Sequence, residues 1–584
     1  MIRTSWPRSA IKKITTAVFR QSHTQTKQQT PADKYQHYNE TEGYYRSSPF
    51  EPVEIPNMKI HEYVWQNLHK YEKTVAVECI SSGRNYTYAQ LRDASAALAY
   101  RFRKMLNLKP RDVIAVCLPN LPEYPIAVFG AFEAGLTVTT VNPIYTAEEI
   151  SRQLEMSNAK FILCLSEGYS IVKAACQLAR KNIPIAIIRN PIVPLPEGAM
   201  DFFQLISTEG VDFNAIPQND IGIEDLAFLP FSSGTTGLPK GVMLNHRNIT
   251  VNCEQVQSKL PYEMMVTAAT DSFQHVVPCI LPFFHIYGLT VNLISKLFLG
   301  AKTLTVPRFT PEDLFKCLID KKSTVLNLVP PIVLLMINHP KLTPQTIPHL
   351  ELIMSGAAPI GQLDVEKFLS KFPKIKFAQG YGLTETSPCA LLTPNNHTKF
   401  AAAGMVPANT NCKIVSFDKE DGKGLGPNTP GELCVQGPQV MKGYLNNQEA
   451  TDATFYDNGW LRTGDVAYYD EEGYFFITDR MKELIKVKGF QVPPAELEEI
   501  LRSHDKILDV AVIGIPHETA GESPKACVVL KPDTTATEQE IKDFVESKVA
   551  HYKKLEGGVD FIDVIPKNLS GKILRRELRA RYVK

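Results

Sequence analysis

Between residues 231 and 241 the chain reads FSSGTTGLPKG, directly after the apolar run LAFLP. Glycines let backbone N–H groups come close to an anion. The hydroxyls of Ser232, Ser233, Thr235 and Thr236 can donate hydrogen bonds, and Lys240 brings a positive charge. That is the chemistry of a loop that grips phosphate. The spacing is not that of a Walker A loop, G-x-x-x-x-G-K-[ST], because Gly234, Gly237 and Lys240 fall three apart and Gly241 follows the lysine. A solvated turn has a similar composition. The position of this run at the end of an expected strand, with hydroxyls at nearly every non-glycine position, favours the anion.

Such a loop needs a scaffold, and the flanking sequence describes one. From about residue 60 to 480 short apolar runs alternate with helical patterns, the signature of an α/β protein with largely parallel sheets. The segment TPEDLFKCLIDKK predicts a helix with Thr310 as N-cap, Pro311 at its first position and Asp313 in its first turn. TVLNLV, LELIMSG and IKFAQGYG read as strands, with PPIVLLMINH and LDVEKFLSKF as the helices between them. Parallel strands present functional loops at their carboxyl ends, here SGAAP and GYGLTET. A boundary is expected near DRMK, residues 479–482, followed by alternating short helices and strands. The fold class is therefore α/β, with a large N-terminal domain of mostly parallel sheets flanked by helices (50–479) and a small mobile α+β C-terminal domain (480–584).

Composition narrows the function classes. A chain of 584 residues exceeds what one core usually supports. With 44% hydrophobic and 21% charged residues and a net charge of +1, it has neither the signature of disorder nor that of a polyanion-binding surface, so no nucleic-acid partner is expected. Eleven cysteines stand singly, without a C-x-x-C pair, which favours reduced thiols in an intracellular protein over disulfides or zinc. The uncharged stretches 276–294 and 323–340 are interrupted by prolines and read as buried core, so no transmembrane segment is expected. Residues 1–32 carry six Lys and Arg, no Asp or Glu, many Ser and Thr, and Ile11, Ile14 and Val18 on one helical face. This pattern predicts a mitochondrial transit peptide; a basic tail on a cytoplasmic protein is the alternative. The terminal RYVK is not the peroxisomal S-K-L tripeptide.

Five segments together resemble the adenylate-forming superfamily of acyl-CoA synthetases, 4-coumarate–CoA ligases and beetle luciferases. They are SSGTTGLPKG, GYGLTE (380–385), WLRTGD (460–465), DRMKELIKVKGFQVPPAELE (479–498) and PKNLSGK (566–572), in order and at similar spacing, and the likeness runs from about residue 50 to the C-terminus. The resemblance implies two steps: a carboxylate attacks the α-phosphorus of MgATP to give acyl-AMP and pyrophosphate, then the thiol of coenzyme A displaces AMP. Attack of an anion on an anion needs cations at the reacting oxygens.

By resemblance, Lys572 contacts the carboxylate and the α-phosphate, Thr384 binds the α-phosphate and Glu385 holds Mg²⁺. Ser232, Ser233, Gly234, Thr235, Thr236 and Lys240 clamp the β- and γ-phosphates. Gln379, Gly380 and Tyr381 frame the adenine, and Asp465 with Arg480 takes the ribose. His285 lies along the acyl-adenylate and gates thiol entry. The acyl pocket comprises His285, Ile286, Tyr287, Val291, Met354, Ala357 and Gly382, with Lys482, Lys486 and Gln491 grouped beside it. Lys488 and Gly489 line the pantetheine channel, and Arg308 meets the nucleotide end of CoA. Lys482 sits at a hinge about which the C-terminal domain alternates between presenting Lys572 and presenting Gly489.

The apolar pocket, with no acid in FFHIYG to pair an ammonium, disfavours amino acids. The chain ends soon after Lys572, which disfavours a carrier module. The expected activity is ATP-dependent ligation of a hydrophobic acid to CoA. With the mitochondrial leader, a medium- or long-chain fatty acid is the expected substrate; the alternatives are an aryl acid of the 4-coumarate type or a luciferase-like monooxygenation. Intact Lys240, Glu385, Asp465 and Lys572 count against a non-catalytic binding protein.

Overall fold

The alternation of apolar runs and helices closes into stacked sheets. The computed structural model describes residues 33–582 apart from 190–192, 233–238, 258–266, 271, 395–396, 418–420, 488–489, 518 and 569–570. The leader (1–32) therefore lies outside the described residues, as do Ser233, Gly234, Thr235, Thr236, Lys488 and Gly489.

One sheet has seven strands in the order Leu244–Asn245, Leu226–Phe228, Thr137–Thr140, Val113–Cys117, Phe161–Leu165, Ile185–Ile188, Ala199–Asp201. All neighbours are parallel except the first pair. Both faces are covered at its centre, which is why Val113–Cys117, Phe161–Leu165 and Ile185–Ile188 are continuous apolar runs. Ile114 and Val116 join the core under helices Tyr88–Lys104 and Glu123–Glu133, while Ala115 and Cys117 join the core under Ala147–Ser157 and Tyr169–Leu178.

Two four-stranded sheets continue the architecture. In one, Val276–Cys279, Lys302–Thr305 and Val75–Cys79 run parallel, with Asn85–Thr87 antiparallel at the edge. In the other, Val325–Leu328, Leu352–Gly356 and Lys376–Gly382 run parallel, with Cys389–Leu392 antiparallel beside the last. The Thr324 N–H donates to the Val276 carbonyl (3.0 Å), joining the two. The three predicted strands and the helices Pro330–Asn338 and Gln362–Lys371 form as read. Thr310 caps its helix through Oγ1, which accepts the Asp313 N–H at 3.1 Å. That helix changes at Lys316 into a π-helical turn, Lys316–Asp320.

A fourth sheet of the large domain is antiparallel: Gln36–Asn39, Gly43–Ser47, Asn411–Val415, Gly431–Gln436, Trp460–Tyr469 and Phe455–Tyr456, with Phe475–Arg480 also on Trp460–Tyr469. The strands within 36–47 thus extend the large domain ahead of residue 50. After Arg480 a short turn, Met481–Glu483, leads into a separate sheet of Ile485–Val487, Phe490–Val492, Gly521–Leu530, Ile507–His517 and Val559–Phe561, backed by Pro494–Arg502 and Glu538–Glu546. The stretch 276–294 is buried strand and π-helix (Tyr287–Ile294). Among the described residues no helix is long and apolar enough to cross a membrane. All eleven cysteines are free and buried.

Candidate active site

The carboxyl ends of Leu352–Gly356 and Lys376–Gly382 open into a cleft of about 1380 Å³, also lined by Lys567, Asn568, Lys572, Leu574 and Glu577 of the small domain. Local backbone demands explain the turn that follows Gly382. A Cβ there would lie 2.6 Å from the Pro388 carbonyl carbon and closer still to its oxygen, so only glycine lets the strand pass. The short turn Thr384–Thr386 then holds Thr384 and Glu385 on the cleft wall.

The two ends of the segment 231–241 pair as a two-stranded sheet, Phe231–Ser232 against Lys240–Gly241, and both Ser232 and Lys240 line the cleft. Ser232 Oγ and the Tyr444 hydroxyl each donate to Oε1 of Glu385 at 3.0 Å. Lys240 Nζ stands 4.9 Å from the centre of the Tyr444 ring. Among the described residues no group of three or more His, Cys, Asp and Glu is placed to hold a metal. Two hydroxyls on one oxygen leave lone pairs on the Glu385 carboxylate. The donor set therefore suits Mg²⁺ shared between one carboxylate and nucleotide phosphates, rather than a cage made by protein alone.

On the next wall the Tyr381 hydroxyl donates to Oδ2 of Asp465 (2.7 Å), and Arg480 Nε lies 3.2 Å from Oδ1. Asp465 and Arg480 face each other across antiparallel strands, so the sheet itself sets this pair. Asp465 is only 3% exposed, bonded by a phenol and a guanidinium. Gln379 departs from expectation: its Nε2 donates to the Phe400 carbonyl (2.6 Å), which turns the amide away from the cleft lined by Gly380 and Tyr381.

Lys572 enters from the small domain on the hairpin that pairs Lys567 with Ile573. Asn568 Oδ1 accepts the Lys572 N–H (2.9 Å). Gly571, at φ +77°, sits against the large domain, where a Cβ would meet Val329 and Pro331 at 3.3–3.4 Å. Burial first, then Arg480 and Lys482, pull the Lys572 ammonium down to about 8, against Glu483 and Asp465. His285 is likewise pushed down to about 4, by burial and then by Lys572. Its Nδ1 accepts the Tyr287 N–H (3.3 Å), so the neutral ring carries its proton on Nε2.

One wall of the cleft is apolar. Ile286, Tyr287, Val291, Met354, Ala357 and Gly382 line the cleft as expected, and Tyr287 spends its hydroxyl on the Met354 carbonyl (3.0 Å). Ala357 sits at φ +67°, a left-handed conformation that is strained for a residue with a Cβ. Val256, Cys389 and Leu392 complete this wall without any sequence signal, since they come from a remote helix and an antiparallel strand. Lys482 lines the cleft. Lys486 does not: it alternates with Ile485 and Val487, which fill the small domain's core, so it faces solvent, with Gln491 opposite it in the register. Arg308 is exposed outside the cleft.

A model of the family described as AMP-binding enzyme matches residues 64–445, and one described as AMP-binding enzyme C-terminal domain matches 496–572. This chain is 37% identical over 556 residues to 4-coumarate–CoA ligase 1 of Arabidopsis thaliana, covering 94% of this chain and 97% of that one. It is 38% identical over 536 residues to 4-coumarate–CoA ligase 3 of Oryza sativa subsp. japonica, covering 91% and 93%. Among solved structures, ATP-bound MatB from Rhodopseudomonas palustris matches with a TM-score of 0.79 at 26% identity, over 90% of this chain and 99% of that one.

The chain belongs to the AMP-binding enzyme family. Its class is that of the AMP-forming acid–thiol ligases.

Two further residues of this AMP-binding enzyme were not singled out by its sequence. Tyr444 is one, since nothing in GYLNN marks a hydroxyl that orients Glu385. Asp479 is the other, visible as part of a domain boundary and of the segment 479–498 but with no role of its own. Its Oδ2 accepts the Ala495 N–H (2.9 Å) and its Oδ1 the Arg480 N–H (2.7 Å). Burial outweighs the nearby Arg575 and lifts the Asp479 carboxyl to about 7. Arg575 in turn bonds Glu483 (2.7 Å) and Glu498 (2.6 Å).

Proposed function

We propose that this AMP-binding enzyme joins an apolar carboxylic acid, a medium- or long-chain fatty acid, to coenzyme A through an acyl-adenylate. The carrying observation is convergence: Lys572, His285, Glu385 and Tyr381 with its partner Asp465 surround one cleft whose far wall is Val256, Val291, Met354, Cys389 and Leu392. That wall presents no charge, and its one phenol, Tyr287, is already bonded to the backbone. A tail without polar groups is desolvated there at no cost in lost hydrogen bonds, whereas a ring hydroxyl would be left without a partner.

In the first step an oxygen of the substrate carboxylate attacks the α-phosphorus, the bond to the pyrophosphate oxygen breaks, and acyl-AMP forms. Protonated Lys572 offsets the repulsion between carboxylate and α-phosphate, and Thr384 donates to an α-phosphate oxygen. Ser232 and Lys240 hold the departing pyrophosphate, while Asp465 and Arg480 fix the ribose. Mg²⁺ held by Glu385 would neutralise phosphate charge when bound. In the second step the sulfur of CoA attacks the acyl carbonyl carbon, the bond from that carbon to the AMP phosphate oxygen breaks, and the thiol proton passes to solvent as AMP leaves. Neutral His285 donates from Nε2 along the acyl-adenylate and leaves the thiol its path.

A second reading, an aryl acid of the 4-coumarate type, is favoured by the names of the relatives matched over more than nine-tenths of the chain. A panel of acids with ATP, Mg²⁺ and CoA, read by mass spectrometry of the thioester, separates the two. The fatty-acid reading expects octanoate to palmitate to outrun 4-coumarate, with unsubstituted cinnamate ahead of 4-coumarate. A clear preference for 4-coumarate overturns it in favour of the aryl reading. Light from luciferin, ATP and oxygen would instead reveal monooxygenation.

A further inference from the structure

Lys572 can serve the first step only if the small domain is held in the pose that carries it into the cleft. The connection between the domains is a single short turn, Met481–Glu483, so the pose must be set by contacts made across it. Asp479 makes such a contact. It is the penultimate residue of Phe475–Arg480, paired with Val466 in the large domain's antiparallel sheet. Its acceptor Oδ2 reaches the N–H of Ala495, second residue of the small-domain helix Pro494–Arg502.

The first N–H groups of a helix have no partners within it. Usually Ser, Thr, Asp or Asn just before the helix supplies an acceptor. Here that position is Pro493, which makes no side-chain cap. The missing cap comes from the other domain, as a carboxyl at the helix end where negative charge is favoured. The same helix carries Glu498, which grips Arg575, and Arg575 lies three residues beyond Lys572. Asp479, the helix, Arg575 and the Lys572 hairpin thus form one continuous mechanical chain.

We infer that Asp479 is a positioning residue, which caps the small domain's helix from the large domain and thereby sets the pose in which Lys572 reaches the reacting carboxylate. This rests on the two-step reading above. It predicts a split between the half-reactions, because Asp479 contributes to the step that uses Lys572 and not to the attack of the thiol.

The test compares acid-dependent ATP–pyrophosphate exchange without CoA against thioester formation from preformed acyl-adenylate and CoA, in full-length protein. Asp479→Ala should lower exchange by about two- to thirtyfold, the range of a lost helix cap, and leave the thiol step within about twofold. Asp479→Asn keeps an acceptor oxygen and should restore most of the exchange. Ala495→Pro removes the donor from the other side; two prolines opening a helix are already tolerated at Pro330 and Pro331. It should reproduce the Asp479→Ala split and add little in the double variant. Equal loss in both half-reactions, or unchanged exchange in Asp479→Ala, overturns the assignment alone. Wild-type protein that shows no exchange with any acid overturns the two-step reading and the assignment with it.

Discussion

If Lys572 supplies the charge for adenylation, the first half-reaction must titrate with it. An ordinary lysine, titrating near 10.5, would be a cation at every working pH, but in this cleft burial, Arg480 and Lys482 bring it to about 8. Only the protonated amine can offset the repulsion between carboxylate and α-phosphate. Activity is therefore full below about pH 7 and lost as pH rises through 8. At pH 9 roughly one tenth of the molecules keep the proton, so kcat/KM should fall about tenfold from its plateau. With MgATP also subsaturating, the rate reports the free enzyme, so bound nucleotide does not mask this value. The assay is pyrophosphate release at subsaturating acid with CoA omitted, which removes the titration of its thiol. Lys572→Arg, with a guanidinium protonated throughout, should lose the basic limb even if its plateau is lower. Lys482→Gln removes one neighbouring cation and should move the limb upward. A wild-type profile flat to pH 10, or the same limb in Lys572→Arg, would refute the placement.

Other perturbations follow from single contacts. Tyr444→Phe takes one of two hydroxyls from Glu385; with hydrogen bonds to charged groups worth about 1.5–3 kcal/mol, the KM for MgATP should rise about tenfold or more, measured by initial rates. An unchanged KM would remove Tyr444 from the site. Gly382→Ala drives a Cβ into the Pro388 carbonyl and should destabilise the protein by roughly 3 kcal/mol, seen as a lower melting temperature and denaturant midpoint. An equal melting temperature would contradict that packing. Residues 1–32 fused to a fluorescent reporter should carry it to mitochondria, and diffuse cytosolic signal would contradict the leader.

What could be read from the sequence was local. Thr310, Pro311 and Asp313 declare a helix start by their own chemistry, and three apolar runs separated by helices declare parallel strands and their loops. Tyr381, Glu385 and Lys572 were found because motif and neighbours travel together in the chain. What escaped depends on partners far away. Gly43–Ser47 pairs with Asn411–Val415, a register that no local pattern encodes. Gln379 looked like an adenine contact until the Phe400 carbonyl claimed its amide. Val256 and Leu392 reach the apolar wall of the cleft from different elements, and Asp479 finds its donor only after two domains meet. Residue type shows what a side chain can do; which neighbour claims it is decided by packing.

The central claim, that this AMP-binding enzyme adenylates a carboxylic acid with Lys572 in contact, is tested most directly by ATP–pyrophosphate exchange without CoA in wild-type protein and Lys572→Ala. The account predicts exchange that depends on added acid in the wild type and falls to background in the variant, while the variant still converts preformed acyl-adenylate and CoA to thioester. Exchange that persists in Lys572→Ala, or that ignores the acid, would contradict it.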